Sequence, residues 1–176
     1  MTTQQAEHAG AVTMHGNPLT LVGPTLAVGD KAPAFTLVTT TMQPFTLDQA
    51  TENGTKSALL IVVPSLDTQT CSLETQTFHK RLGEIPAGAK AYVISVDLPF
   101  AQQRWATANE ALGLTYLSDY AARAFGPAYG VLVKEISLYA RATFVVKPDK
   151  TIGYVEIVKE IGDEPNYDAA FDALKG

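Results

Sequence analysis

The aliphatic run at residues 58–63, Ala-Leu-Leu-Ile-Val-Val, constrains the fold more than any other segment and leads directly into Pro64. A short continuous run of this kind between polar and loop-forming residues is typical of a central strand that is covered on both faces of a sheet. It is also the longest uninterrupted aliphatic stretch in the chain, whereas a transmembrane helix needs roughly 18 to 20 apolar residues. The sequence therefore predicts a covered sheet, with neither a transmembrane helix nor a membrane partner.

The length and the charge of the chain indicate its domain organisation, its partners and its compartment. The chain has 176 residues, 46% of them hydrophobic, and we expect residues 11–176 to form a single domain. Residues 1–10 are small and polar without periodicity, which predicts a disordered tail. The net charge is −5 and the 13 Lys and Arg residues are scattered singly, so nucleic-acid binding is not expected. Residues 1–30 lack the Lys and Arg of secretory signals and transit peptides, which makes the cytoplasm the expected compartment.

Short periodic segments separated by turn-forming residues follow along the chain. Residues 12–14 and 19–21 alternate apolar and polar side chains around His15-Gly16-Asn17-Pro18, which predicts an N-terminal β-hairpin. Further strands are predicted at residues 35–38, 45–47, 58–63, 92–96, 141–147 and 152–158, and helices at residues 71–82, 100–112, 121–124 and 168–175. The last two strands flank a turn sequence and are expected to pair antiparallel. This order predicts an α/β fold with a central mixed sheet flanked by helices.

Cys71 is the only cysteine, so neither an intramolecular disulfide nor a CxxC pair is possible. It follows the loop Pro64-Ser65-Leu66-Asp67-Thr68 and opens a predicted helix, and a helix N-terminus favours thiolate over thiol. The alternative is an inert core residue, since free cysteines are among the most often buried side chains. The polar neighbours Gln69, Thr70 and Ser72 do not form a core stripe. On this local context alone, both interpretations stand.

Pro64, Thr68 and Cys71 form the pattern PxxxTxxC, which is the active-site signature of peroxiredoxins. The chain resembles the thiol peroxidase branch of that family in particular. Four other segments carry the resemblance in order along the chain: residues 15–18, 95–102, 128–131 and 140–142. The likeness covers nearly the whole chain from the predicted hairpin onward.

The resemblance implies a thioredoxin-like fold with an N-terminal β-hairpin, and the reduction of hydrogen peroxide or organic hydroperoxides at Cys71. The Cys71 thiolate would be oxidised to a sulfenic acid. Thr68 would hydrogen-bond the peroxide or the thiolate, Arg141 would hold a positive charge beside the sulfur, and Pro64 would shield the site from water. A homodimer is implied, and no metal, haem, flavin or other cofactor. Without the resemblance, Arg141 is interpreted as a strand-end arginine that extends its charged group to solvent or pairs with a surface carboxylate.

The chain departs from this branch at Ala106. Most members carry a resolving cysteine within Arg-aromatic-Cys-Gly-Ala-Glu, where this chain reads Arg104-Trp105-Ala106-Thr107-Ala108-Asn109. Because Thr107 and Asn109 also differ from that pattern, a natural absence is favoured over an engineered one. A sulfenic acid at Cys71 then has no partner in its own chain. We expect it to be recycled by an external thiol, by a thioredoxin-like reductant or by a disulfide between two chains.

Two other functions stay open from the residues alone. One is a non-catalytic peroxide sensor or interaction module that signals through oxidation of Cys71, and the other is a structural protein with an inert Cys71. The joint presence of Pro64, Thr68 and Arg141 argues against an inert thiol, which needs none of them. A Cys–His dyad would need unusual geometry, because His79 lies two turns beyond Cys71 on the predicted helix.

Overall fold

The computed structural model describes residues 5–176. Its strands are β1 (Glu7–Met14), β2 (Asn17–Val22), β3 (Thr36–Thr39), β4 (Pro44–Thr46), β5 (Ser57–Val62), β6 (Ala89–Ser95), β7 (Thr115–Ser118), β8 (Leu132–Val133), β9 (Leu138–Tyr139), β10 (Ala142–Val146) and β11 (Ile152–Ile157). Its helices are α1 (Leu47–Ala50), α2 (Gln69–Lys80), α3 (Pro99–Ala108), α4 (Phe125–Tyr129) and α5 (Tyr167–Lys175). Within residues 5–176, none of the helices combines the length and the apolar character that crossing a membrane requires.

A seven-stranded mixed sheet in the order β11-β10-β5-β6-β7-β3-β4 lies at the centre of the molecule. β5, β6 and β7 run parallel, and the other neighbouring strands pair antiparallel. The predicted mixed sheet is therefore confirmed, as is the antiparallel pairing of β10 with β11. A second, four-stranded sheet in the order β1-β2-β8-β9 contains the N-terminal hairpin.

β5 is the covered central strand that the sequence predicts. Successive side chains of a strand point to opposite faces of its sheet. Leu60 and Val62 accordingly enter one hydrophobic cluster, and Leu59 and Ile61 enter another. The first cluster includes side chains of α1 and α4, and the second includes side chains of α2, α3 and α5. Helices thus cover both faces of the sheet, which is the thioredoxin-like arrangement expected from the resemblance.

The N-terminal hairpin forms as predicted but is longer than expected. β1 begins at Glu7, which pairs with Val22 of β2. The prediction of a disordered tail over residues 1–10 is therefore wrong for residues 7–10, and residues 1–4 lie outside the described residues. Backbone pairing with β2 forms this part of the hairpin, and such pairing needs no apolar side-chain pattern. The ring Nε2 of His8 also lies 2.9 Å from the carbonyl oxygen of Gly23.

Two predicted helices are wrong in position or length. Residues 121 and 122 lie in a turn, residues 123 and 124 have no regular secondary structure, and α4 begins only at Phe125. The left-handed φ of 52° at Arg123 interrupts any helix there, while the Phe125 amide donates to Asp119 Oδ2 at 2.7 Å. α3 ends at Ala108 instead of residue 112, and Glu110 has a left-handed φ of 53°. In both cases a single residue in the left-handed region limits the helix.

Candidate active site

The structure brings four sequence-predicted site residues together at one edge of the central sheet: Pro64, Thr68, Cys71 and Arg141. The chain leaves β5 through buried Pro64 and enters α2, which carries Cys71 as its third residue. β10 runs antiparallel to β5, and its first residue Ala142 pairs with Val62. Arg141 therefore lies at the sheet edge where β5 ends, although it is 70 positions away from Cys71 in the sequence.

The N-terminus of α2 retains its positive electrostatic character. Thr68 is the N-cap residue, but no side chain accepts a hydrogen bond there, and the first turn contains no acidic residue. The first N–H groups of a helix have no intrahelical acceptor and carry a partial positive charge. Cys71 is fully buried beside them. This placement puts the sulfur at the positive end of the helix dipole.

Arg141 adds a full positive charge beside the same sulfur. Its guanidinium Nη2 lies 3.5 Å from Cys71 Sγ. Nε and Nη2 also donate to the carbonyl oxygen of Ile161 at 3.1 Å and 3.0 Å, which fixes the plane of the group. Only 2% of Arg141 is exposed, so its interpretation as a strand-end arginine paired with a surface carboxylate is wrong.

Glu74 is a site residue that the sequence analysis misses. Arg141 Nη1 donates to Glu74 Oε2, and Glu74 is completely buried. Within residues 5–176, the other carboxyl oxygen, Oε1, has no hydrogen-bond partner. Arg141 therefore joins two acidic side chains of α2, the Cys71 thiol and the Glu74 carboxyl, in one buried cluster.

The buried face of α2 explains why Glu74 escapes notice. Leu73, Phe78 and Leu82 lie roughly a turn apart in the helix predicted over residues 71–82 and suggest its apolar face, yet Leu73 is 48% exposed. The residues that are buried are Cys71, Glu74, Thr75 and Phe78. Their spacing of three, four and seven positions from Cys71 is that of one helix face. This spacing is the signal that could have identified Glu74.

Burial determines the charge of this cluster. It raises the pKa of the Glu74 carboxyl to about 8, although Arg141 acts in the opposite direction through its charge and its hydrogen bond. Burial also acts to lower the pKa of Arg141, but the neighbouring Glu74 and Cys71 side chains hold that pKa above its usual value. Arg141 is therefore charged at neutral pH, while burial favours the protonated form of Glu74. The positive charge is then available to the sulfur of Cys71.

The Thr68 hydroxyl donates its hydrogen bond to the carbonyl oxygen of Ser65 at 2.9 Å. Thr68 and Arg141 both line a pocket of about 250 Å³, together with Pro64 and apolar side chains that include Ile136 and Leu138. The Thr68 oxygen keeps lone pairs that can accept a hydrogen bond from a molecule in this pocket.

The structure also places His79 and Ala106, the two other residues weighed from the sequence. His79 packs beside Gly113, away from this cluster, so the structure provides no Cys–His dyad. Ala106 is 1% exposed on α3 and belongs to the same hydrophobic cluster as Cys71. In the described part of the chain, no group of three or more His, Cys, Asp and Glu side chains is placed to bind a metal.

The raised pKa of Glu74 predicts a loss of stability as the pH rises from about 5 to about 8. In that range the folded protein keeps a proton that the unfolded chain, with a carboxyl pKa of 4.5, has released. Each pH unit then lowers the free energy of unfolding by roughly 1 kcal/mol through this group. Urea unfolding at several pH values measures the slope. Glu74→Gln should remove this slope, and Glu110→Gln, at an exposed position, should retain it. If the free energies of unfolding of wild type and Glu74→Gln change in parallel with pH, the raised pKa does not belong to Glu74.

Comparisons with known proteins identify the family of this chain. A model described as the AhpC/TSA family matches residues 28–155. A thiol peroxidase from Halalkalibacterium halodurans is 43% identical over 166 residues, which cover 94% of this chain and 97% of that protein. A thiol peroxidase from Listeria innocua is 44% identical over 164 residues, covering 93% and 97% of the two chains.

A solved structure of a peroxiredoxin-like protein from Aquifex aeolicus superimposes with a TM-score of 0.87 at 38% identity, covering 96% of this chain and 98% of that one. A thiol peroxidase from Chromobacterium violaceum, at 23% identity and a TM-score of 0.81, shares the fold over 93% of this chain and 95% of its own. The family match, the identity over nearly the full length and the shared fold together establish that this chain belongs to the AhpC/TSA family.

Proposed function

We propose that this protein is a thiol-dependent peroxidase that reduces hydrogen peroxide or organic hydroperoxides through a sulfenic acid at Cys71. The observation that carries the proposal is the buried Arg141 guanidinium, 3.5 Å from Cys71 Sγ. An inert core cysteine needs no buried cation beside it, and burying a charge is costly unless it has partners. The relatives named thiol peroxidase, with more than 40% identity, support the same activity.

The oxidation step is a displacement at oxygen. The Cys71 thiolate attacks the terminal oxygen of ROOH, an S–O bond forms, and the O–O bond breaks. The products are the Cys71 sulfenic acid, which keeps the proton of the attacked oxygen, and RO⁻, which is released as ROH after protonation. The sulfur loses two electrons and the peroxide gains them.

Three residues assist this step in our proposal. Arg141 stabilises the thiolate and the negative charge that develops on the peroxide oxygens. The Thr68 hydroxyl oxygen accepts a hydrogen bond from the peroxide and orients it, and the pocket beside Thr68 supports this role. Pro64 is buried against the site and limits the entry of water. Water competes for the same hydrogen bonds, so its exclusion strengthens the charge interactions.

Recycling of Cys71 requires thiols from outside the chain. The sulfenic acid condenses with a first thiol, R'SH, to give a mixed disulfide and water. A second thiol then attacks the mixed disulfide, releases R'SSR' and restores the Cys71 thiol. A small-molecule thiol or a thioredoxin-like protein can supply both thiol groups. The absence of a second cysteine in the sequence supports this route over an intrachain disulfide.

We also propose a homodimer and a cytoplasmic location. The apolar side chains of Leu98 and Phe100 are 52% and 65% exposed at the start of α3, which supports an interface on that face. The cytoplasm keeps thiols reduced, and a cycle that consumes external thiols needs such a compartment.

The activity itself is tested by following peroxide consumption in the presence of dithiothreitol. Wild-type protein should turn over hydrogen peroxide or cumene hydroperoxide many times. Cys71→Ser should reduce this rate to the background level, because a serine hydroxyl is not ionised near neutral pH. Variant activity close to that of wild type would rule out the proposed enzyme. A wild-type protein that is oxidised once, and that no thiol restores, would instead favour the sensor hypothesis.

The lack of a resolving partner is tested by the variant Ala106→Cys. After one equivalent of peroxide, intact wild-type protein should gain one or more oxygen atoms, since no thiol in its own chain captures the sulfenic acid. The variant should instead lose two hydrogens by forming a disulfide with Cys71, provided that α2 and α3 open enough to bring the two Cβ atoms within about 3.5–4.5 Å.

Ala108→Cys, exposed near the end of the same helix, is the matched control and should gain oxygen as wild type does. If Ala106→Cys also gains oxygen, the position does not correspond to that of a resolving cysteine or the helix does not open.

A further inference from the structure

The segment at residues 95–102, which contributes to the family resemblance, contains a carboxylate that the proposed mechanism does not use. Asp97 follows the end of β6, next to the loop formed by residues 65–68, which we call the active-site loop. Ser65 Oγ donates to Asp97 Oδ1 at 2.7 Å, and the Leu66 amide donates to Asp97 Oδ2 at 2.8 Å. One carboxylate therefore binds a side chain and a backbone group of this loop.

Asp97 is itself held by buried polar side chains. Ser95 Oγ donates to Asp97 Oδ2 at 2.8 Å and accepts a hydrogen bond from Gln102 Nε2 at 3.1 Å. Gln102, on α3, is fully buried and also donates to the carbonyl oxygen of Leu117 at 3.0 Å. The Ser118 hydroxyl donates to the backbone carbonyl of Asp97. These contacts fix the carboxylate to β6, β7 and α3.

The contacts continue from Asp97 to the reacting sulfur. Ser65, whose hydroxyl binds Asp97, accepts two hydrogen bonds at its carbonyl oxygen, from the Thr68 hydroxyl at 2.9 Å and the Thr68 amide at 3.2 Å. Thr68 is the N-cap of α2 and its carbonyl accepts from the Ser72 amide at 2.9 Å. The position of Ser65 therefore sets where α2 begins, and with it the position of Cys71.

Asp97 acts from the far side of the active-site loop. It lines a separate pocket of about 360 Å³ together with Ser65, Leu66 and Trp105. It is not among the residues that line the pocket shared by Thr68 and Arg141. A group in this position cannot reach a peroxide that contacts Thr68, so any effect of Asp97 on the reaction passes through the loop.

We propose that Asp97 is a positioning residue that keeps the active-site loop closed, so that Thr68 and Cys71 face Arg141 and the peroxide. This inference rests on the proposed function for its effect on the peroxide reaction. When the hydrogen bonds to Asp97 weaken, the loop opens more often. Open loops expose the otherwise buried Cys71 to large thiol reagents and take it out of the geometry that reacts with peroxide.

The test compares two rates in Asp97→Asn, in which an amide NH₂ replaces one acceptor oxygen. The first is the rate of oxidation of reduced Cys71 by hydrogen peroxide, and the second is the rate of its reaction with 5,5′-dithiobis(2-nitrobenzoate). Losing hydrogen bonds to a charged acceptor should slow the first about tenfold and accelerate the second about tenfold.

The matched control is Asp67→Asn. Asp67 is an exposed residue of the same loop, so its substitution removes the same charge close to Cys71 without removing the acceptor at Asp97. Both rates should stay within about twofold of wild type, as is usual for a surface substitution. The comparison separates the loss of the hydrogen bonds from the loss of charge near an anionic reagent.

Opposite changes in the two rates distinguish loop opening from general destabilisation. A small fraction of globally unfolded protein also reacts with the thiol reagent, but the folded majority would still react with peroxide at the wild-type rate. Two rates that fall together, two unchanged rates, or an unchanged rate in either assay overturn the proposal. If Asp97→Asn does not fold, Ser65→Ala removes one of the same contacts and should shift both rates in the same directions by a smaller factor.

The thiol-reagent assay requires no peroxidase activity. If wild-type protein fails to react with peroxide, the proposed function is wrong, and the reagent rate alone decides the role of Asp97. An Asp97→Asn protein whose Cys71 is no more accessible than that of wild type then overturns the positioning role independently of the enzyme assignment.

Discussion

The buried guanidinium of Arg141 is the feature on which the rest of the site depends. A charge that is almost fully removed from water must find partners, and Arg141 finds them in Cys71, Glu74 and the Ile161 carbonyl. Burial raises the pKa of the Glu74 carboxyl and so disfavours its charged form, and the Arg141 guanidinium also lies 3.5 Å from Cys71 Sγ. The contacts that stabilise the buried Arg141 cation therefore also hold it beside Cys71.

The sheet supplies the geometry for this cluster. The carboxyl ends of parallel strands β5, β6 and β7 lie at one edge, and they deliver Pro64, Asp97 and Ser118 to it. β10 runs in the opposite direction, so its amino end, preceded by Arg141, reaches the same edge. One strand in the reverse direction is thus what allows an arginine late in the sequence to meet a cysteine that follows the central strand.

The sequence predicts the elements with strong local signals and misses those that tertiary contacts decide. The run at residues 58–63 predicts β5, and the signature Pro64, Thr68 and Cys71 predicts where the site lies. The burial of Glu74 is not predicted, because a glutamate in a helix is normally solvated. Here the buried carboxyl is stabilised by Arg141, which is 67 positions away in the sequence. Strands β8 and β9, of two residues each, are too short for a periodic signal, and they form only by pairing within the hairpin sheet.

In our proposal the charge of Arg141 makes Cys71 reactive toward peroxide. The second-order rate constant for oxidation of the reduced protein by hydrogen peroxide tests this directly. Measured by stopped-flow fluorescence of Trp105, the rate for Arg141→Gln should fall at least about tenfold, which corresponds to ~1.4 kcal/mol of lost transition-state stabilisation. Arg104→Gln, which removes an exposed arginine from α3, should react at the wild-type rate. A folded Arg141→Gln protein that also reacts at the wild-type rate would contradict the account.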